Sequence, residues 1–225
     1  AKTPGKETRQ PGRALTPDEL PLVRFKETTR IGKLDQERDM AIALVRQAQN
    51  QPENIGKILD EKGAEILRRV VEEWPDDPAV LLELGQSLRT AAPEESIRYL
   101  KRLHALHPGH EECLYNLASS YFYAGKSQEA EIYAKKLLEK VPVSGGPYDL
   151  LSAIQLDLKD WPALEKTTRS WLSHHPVTQV ARQRLTEALY RQNQRAEARE
   201  NFDILLEQDP ANRQELLLWY HRLGR

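Results

Sequence analysis

Within LHALHPGHEEC, residues 103–113, three histidines, two glutamates and the chain's single cysteine fall inside eleven positions. His104 and His107 are three apart, so a helix would carry both on one face, and His110 follows a Pro-Gly pair. Imidazole, thiolate and carboxylate are zinc and copper ligands, so metal binding is one chemistry open to this cluster. A second is nucleophilic, because Cys113 with His104 or His110 has the residue types of a thiol-imidazole pair. Closeness in sequence does not put those groups in contact. Elsewhere there is no Gly-rich phosphate loop, no HExxH, no paired-cysteine motif and no glycine-flanked serine elbow. No catalytic residue, no enzymatic activity and no cofactor is therefore expected of this segment.

The elements that must position the cluster follow from a repeat. Pro108, Pro142, Pro176 and Pro210 stand 34 residues apart, each closing a helix-like run: LKRLHALHP, AKKLLEKVP, TRSWLSHHP and FDILLEQDP. In the same phase, Ser96, Ala130, Leu164 and Ala198 supply a mostly small residue, and Leu103, Leu137, Trp171 and Leu205 a large apolar one. Upstream, Leu84, Leu117, Leu151 and Leu185 are each followed by a small residue, Gly85, Ala118, Ser152 and Thr186. The one shorter interval falls in the loop RTAAP around Thr90. The small residue lets the paired helix come close, and the large ones fill the space between one pair and the next. Asp77-Pro78 and Asp160-Trp161-Pro162 read as helix starts, with an aspartate cap and a proline in the first turn.

These columns resemble the tetratricopeptide repeat, a helix-turn-helix unit with a Leu-Gly pair in its first helix, an Ala and an aromatic in its second, and a closing Pro. YNLASSYFYAGKSQEAEIYAKKLLEKVP, residues 115–142, carries the pattern best. Arg182 departs from it in the last repeat, where a large apolar residue is expected, and Gln155 and Thr168 depart in the third. The resemblance implies an all-α fold, a right-handed α-solenoid, with repeats at 77–109, 110–143, 144–177 and 178–211. Residues 212–225, with Leu216, Trp219 and Tyr220, are expected to form a C-terminal capping helix. Residues 31–76 read as a degenerate helical pair, an N-terminal cap or atypical repeat, whose second helix carries the stripe Ile55, Ile58, Leu59, Ile66, Leu67, Val70, Val71 and Trp74. Residues 1–30, with Pro4, Pro11, Pro17 and Pro21 and seven basic against four acidic side chains, are expected to be extended.

Phase also gives the histidines an address. His107 precedes its closing proline as His175 does two repeats later, where the helix dipole favours a cation. His104 falls in the column of Val71, Leu138, Leu172 and Leu206, so its ring is expected between helices, and Glu111 and Glu112 fall in a first helical turn. The cluster is thus expected to be structural, with no metal site.

In this family the first helices line a concave groove. The resemblance projects it onto Leu82, Gln86 and Arg89; Tyr115, Ser119, Phe122 and Tyr123; Asp149, Ala153, Leu156 and Asp157; and Gln183, Glu187, Tyr190 and Arg191. Rigid amphipathic aromatics flanked by both signs of charge suit a peptide or a partner helix. Relatives that clamp a chaperone's C-terminal carboxylate carry Lys and Asn where this chain has Leu82 and Gln86, and Lys and Arg where it has Gly146 and Leu150. Only Asn116 matches, so that partner class is not expected.

The balance of 33 basic and 34 acidic residues leaves a formal net charge of -1, no global field for nucleic acid or an anionic membrane. No apolar run of about 18 residues could span a bilayer. A single cysteine fits a cytoplasmic or an exported, periplasmic location, and a start at Ala1 points to a removed N-terminus. The expected function is a scaffold or adaptor for protein-protein interaction. The alternative is a regulatory or recruiting segment of a larger enzyme, or of an exported or membrane-anchored assembly.

Overall fold

Phased breakers and caps cut the chain into helices at the expected places. Asp77 starts one by accepting hydrogen bonds from the Ala79 and Val80 amides at 2.9 and 3.1 Å, and Asp160 starts another through the Ala163 amide. The computed structural model describes the backbone from Glu19 to Gly224 and side chains from residue 30 to residue 224. The helices are α1 (Glu19–Ala48), α2 (Glu53–Glu73), α3 (Pro78–Ser87), α4 (Pro93–Leu106), α5 (Glu111–Tyr123), α6 (Ser127–Lys140), α7 (Gly145–Leu158), α8 (Trp161–His174), α9 (Gln179–Arg191), α10 (Arg195–Gln208) and α11 (Arg213–Leu223). No strand occurs among the described residues, and none of their helices is long and apolar enough to cross a membrane.

The chain divides within α2, between Val70 and Val71. In the first unit, residues 19–30, expected to be extended, are the opening turns of α1; residues 1–18 lie outside the described residues. From residue 22 to residue 30 there is neither proline nor glycine, and Pro21 sits in the first turn, where a missing N–H costs nothing. The stripe of α2 also differs from expectation. Ile55 and Ile58 are exposed, while Gly56, Gly63, Ala64, Leu67 and Val70 are buried. A Cβ on Gly63 would meet Val45 Cγ2 at 2.6 Å and Ala41 O at 3.0 Å. The close approach of α1 and α2 therefore turns the glycine face inward and the isoleucines outward.

From Val71 onward the helices pair as α3/α4, α5/α6, α7/α8 and α9/α10, an α-solenoid. Three of the four turns inside these pairs share one device. Gly125, Lys159 and Asn193, in phase at 34 residues, adopt positive φ of 72°, 55° and 63°. The next amide then reaches back five residues, as in Lys126 N–H to Tyr121 O at 2.9 Å and Asp160 N–H to Gln155 O at 3.0 Å. The core runs through Leu81, Leu100, Leu103, Leu117, Tyr121, Leu151 and Ile154, one apolar layer from each helix pair against the next. Gly85 is buried under α4, with its carbonyl accepting from Ser96 Oγ, which in turn bonds Ser120 Oγ at 2.7 Å. Arg182, the polar departure in the last repeat, is satisfied in place: it donates to Asn201 Oδ1, Gln208 Oε1 and Pro176 O, although burial lowers its pKa. At the C-terminal end Phe202 stacks on Tyr220 of α11 at 4.2 Å, and Leu216 is buried beside them.

Candidate functional site

The first helices of successive pairs touch, α3 to α5, α5 to α7 and α7 to α9, so their outward side chains share one face. On α5, Tyr123 stands 55% exposed and Tyr115 at the margin of exposure. Between them Ser119 is only 4% exposed, so it does not open onto that face. Phe122 is half-buried and packs onto the core, its ring 6.3 Å from that of Tyr123. Leu82, Gln86 and Arg89 are half-buried on and just after α3. Arg89 Nη1 donates to Asn116 Oδ1 at 3.0 Å, fastening the end of the first pair to α5.

Polar bonds then join the other first helices to their neighbours. Arg184 of α9 donates to Asp149 Oδ1 at 2.7 Å, to Asp149 O at 2.8 Å and to Ser152 Oγ at 2.6 Å. Asp157 Oδ2 accepts from Ser127 Oγ at 2.6 Å. Asp149 and Asp157 are thus already engaged within the chain. Gln183 and Ala153 are half-buried between these helices.

Three of the projected groove residues converge. Leu156 of α7 with Glu187 and Arg191 of α9 lines a cleft of about 520 Å³, completed by Lys159 and Trp161. Arg191 pairs with Glu187 at 3.4 Å, and its guanidinium lies 5.8 Å from the centre of the Trp161 ring. The cleft therefore offers an apolar wall, an aromatic face, two cations and one carboxylate. Lys159 and Trp161 escaped the projection because Lys159 sits in the turn after α7 and Trp161 opens α8, a second helix. The available signal was the Lys-Asp-Trp-Pro run itself, a left-handed turn residue followed by a capped helix start.

Tyr190 is placed elsewhere. Its ring meets Tyr220 edge-on at 5.6 Å, the Arg195 guanidinium covers it at 3.4 Å, and its hydroxyl approaches Gly224. It serves the packing of α11, a helix whose docking the repeat phase does not encode.

The histidine and cysteine cluster resolves into separate roles. His110 is the N-cap of α5, its Nδ1 accepting from the Cys113 amide at 3.2 Å. The Cys113 thiol is fully buried, donates to Leu100 O at 3.3 Å, and is pushed by burial to a pKa of about 12. A thiol held so far above neutrality is a poor nucleophile and a poor ligand. His104 meets Tyr133 edge-on at 5.6 Å, and burial and then Lys136 lower its pKa. His107 ends α4 in the solvent. No group of three or more His, Cys, Asp or Glu side chains is arranged to hold a metal ion among the described residues.

The tetratricopeptide repeat family profile matches residues 112–143, the span of α5 and α6. No curated protein sequence matches the chain. Among solved structures, it is similar to MamA AMB-1, with 18% identity over 83% of this chain and 97% of the other at a TM-score of 0.69. It is also similar to MamA 41-end from Desulfovibrio magneticus RS-1, with 15% identity, 80% and 96% coverage and a TM-score of 0.68. A further MamA structure shares 21% identity over 70% of this chain and 93% of the other, at a TM-score of 0.64. At these identities the likeness is one of fold.

Proposed function

We propose that the chain acts as a tetratricopeptide-repeat scaffold that holds a peptide or helix of a protein partner against the face of its first helices. The observation that carries this reading is the cleft where Leu156, Glu187 and Arg191, drawn from two successive first helices, meet Lys159 and Trp161. Such a cleft accepts an apolar side chain flanked by polar groups, and Tyr115 and Tyr123 extend the aromatic surface one repeat upstream. The bonds from Arg184 to Asp149 and Ser152, from Ser127 to Asp157 and from Arg89 to Asn116 hold the first helices in place before any partner arrives. The ordering cost of binding then falls mainly on the partner segment, which is how a rigid solenoid gains affinity.

The test is capture of partners on the immobilised chain, read by mass spectrometry, with Tyr115→Ala/Tyr123→Ala and Arg191→Ala/Trp161→Ala alongside the wild type. Partners retained by the wild type should be lost or reduced in both variants while circular dichroism stays unchanged. Undiminished capture by folded variants would move the binding face elsewhere.

A further inference from the structure

The second helices carry a feature that the first-helix groove does not use. Successive repeats meet along three seams, where the second helix of one packs on the first helix of the next, α4 with α5, α6 with α7 and α8 with α9, and the 34-residue phase allows the same positions to be compared in each. In the first seam, Tyr121 stacks on Tyr133 with ring centres 5.4 Å apart and planes 9° from parallel. His104 closes onto Tyr133 from the neighbouring repeat, and Lys101 Nζ stands 5.9 Å from the centre of the Tyr121 ring. In the third seam, the position of Tyr121 holds the buried Leu189, and Arg169, the counterpart of Lys101, reaches Glu197 at 2.6 Å. The first seam is occupied by the stacked rings and the third by Leu189 and Asn201, the latter bonded by Arg182 at 3.1 Å.

The middle seam is not. The counterparts of Tyr121, Tyr133, His104 and Lys101 are Gln155, Thr167, Leu138 and Lys135. Both aromatic rings are absent, and these four residues line a cleft of about 430 Å³ between α6, α7 and α8. That volume is within the range of small-ligand pockets, about 300 to 1,000 Å³.

A second observation concerns the cleft's floor. Gln155 is only 2% exposed, and its Nε2 donates to Glu131 Oε1 at 3.2 Å, the same carboxylate oxygen that Lys135 Nζ approaches at 2.8 Å. A carboxylate only accepts, so Glu131 fixes which way the amide faces. Gln155 Oε1 is then left buried without a hydrogen-bond partner. A buried acceptor with no donor is rare in a folded protein and is satisfied when a ligand supplies one.

We propose that this cleft receives an aromatic side chain bearing a hydrogen-bond donor, the phenol of a tyrosine or the indole of a tryptophan, presented by a partner chain. The ring takes the space between Leu138 and Thr167 that Tyr133 fills one repeat earlier. Its O–H or N–H is given to Gln155 Oε1. This site is lined by α6, α7 and α8, shares no lining residue with the cleft of Leu156, Glu187 and Arg191, and stands or falls independently of it.

The experiment is a titration of the full isotopically labelled chain, followed by amide and side-chain NMR, with p-cresol, 3-methylindole and toluene as probes and the peptide Gly-Gly-Tyr-Gly-Gly as the chain-borne form. Saturable shifts are expected at Lys135, Gln155 and Thr167, with p-cresol and 3-methylindole binding about fivefold more tightly than toluene. Gln155→Leu should remove that preference while keeping the toluene shifts. Gln155→Tyr/Thr167→Tyr rebuilds the stacked pair of the first seam and should abolish binding of every probe; Thr167→Tyr alone serves should the double variant not fold. Absence of saturable shifts at these residues, toluene binding as tightly as p-cresol, or retained binding in a folded, filled variant overturns the proposal. Binding of p-cresol without binding of the peptide overturns its assignment to a partner's side chain.

Discussion

Gly85 and Gly146 provide one substitution with two opposite outcomes. Gly85 lies inside α3 beneath α4, and a Cβ built there would stand 3.0 Å from Leu100 Cδ1 and closer still to its Cγ and Cδ2. Leu100 is fully buried in the main core cluster and has no free space into which to move. Gly85→Ala gains about 0.5–1 kcal/mol from helix propensity, but overpacking against a fixed neighbour costs about 1–3 kcal/mol, and the overlap here involves three atoms. The net expectation is a loss of about 2 kcal/mol. At Gly146, in the first turn of α7, nothing lies within 4 Å of the new Cβ and φ is not positive, so Gly146→Ala should gain about 0.5 kcal/mol. Urea unfolding followed by far-UV circular dichroism should show the Gly85 variant's midpoint lowered by about 1 M and the Gly146 variant's slightly raised. Because repeat arrays can unfold in stages, amide exchange in α3 and α4 localises the effect. A Gly85→Ala protein as stable as the wild type would refute the claim that this glycine is required by helix approach.

Three further outcomes follow from the same contacts. Cys113, buried and with its pKa pushed to about 12, should resist alkylation in the folded protein at mildly alkaline pH and react at the rate of a free thiol in urea. His104 has its pKa lowered from 6.5 by burial and Lys136, so below 6.5 the unfolded chain binds the proton that the folded chain refuses. Stability should therefore fall as pH drops through the window between 6.5 and the folded value, and not change above it; urea midpoints for His104→Leu should lack that slope. Lys159 holds a left-handed conformation that disfavours a side chain, so Lys159→Gly should raise the thermal midpoint, with a gain of about 1 kcal/mol.

Helix starts, turns and phase were legible in the sequence because they are local. An aspartate before a proline caps a helix wherever it occurs, and four prolines at 34-residue spacing mark the ends of four second helices. The same phase gave His104 and His107 each a place in a repeat, and the structure adds that His110 caps α5. The start of α1 was missed for a reason equally local: prolines confined to the first turn do not prevent the helix that follows.

The face of the first helices was only partly legible. Phase says which side chains point away from a helix's own partner, and it placed Leu156, Glu187 and Arg191 together. It could not say that Ser119 would be buried, that Tyr190 would be taken up by α11, or that Gln155 would face Glu131 below an open seam. Periodicity along the chain therefore determined the helices and their order, since each cap, turn and apolar column acts within one or two turns. Only the tertiary structure decided which surfaces remain open, because exposure depends on how far a neighbouring helix leans and whether the side chain opposite it is a tyrosine or a threonine.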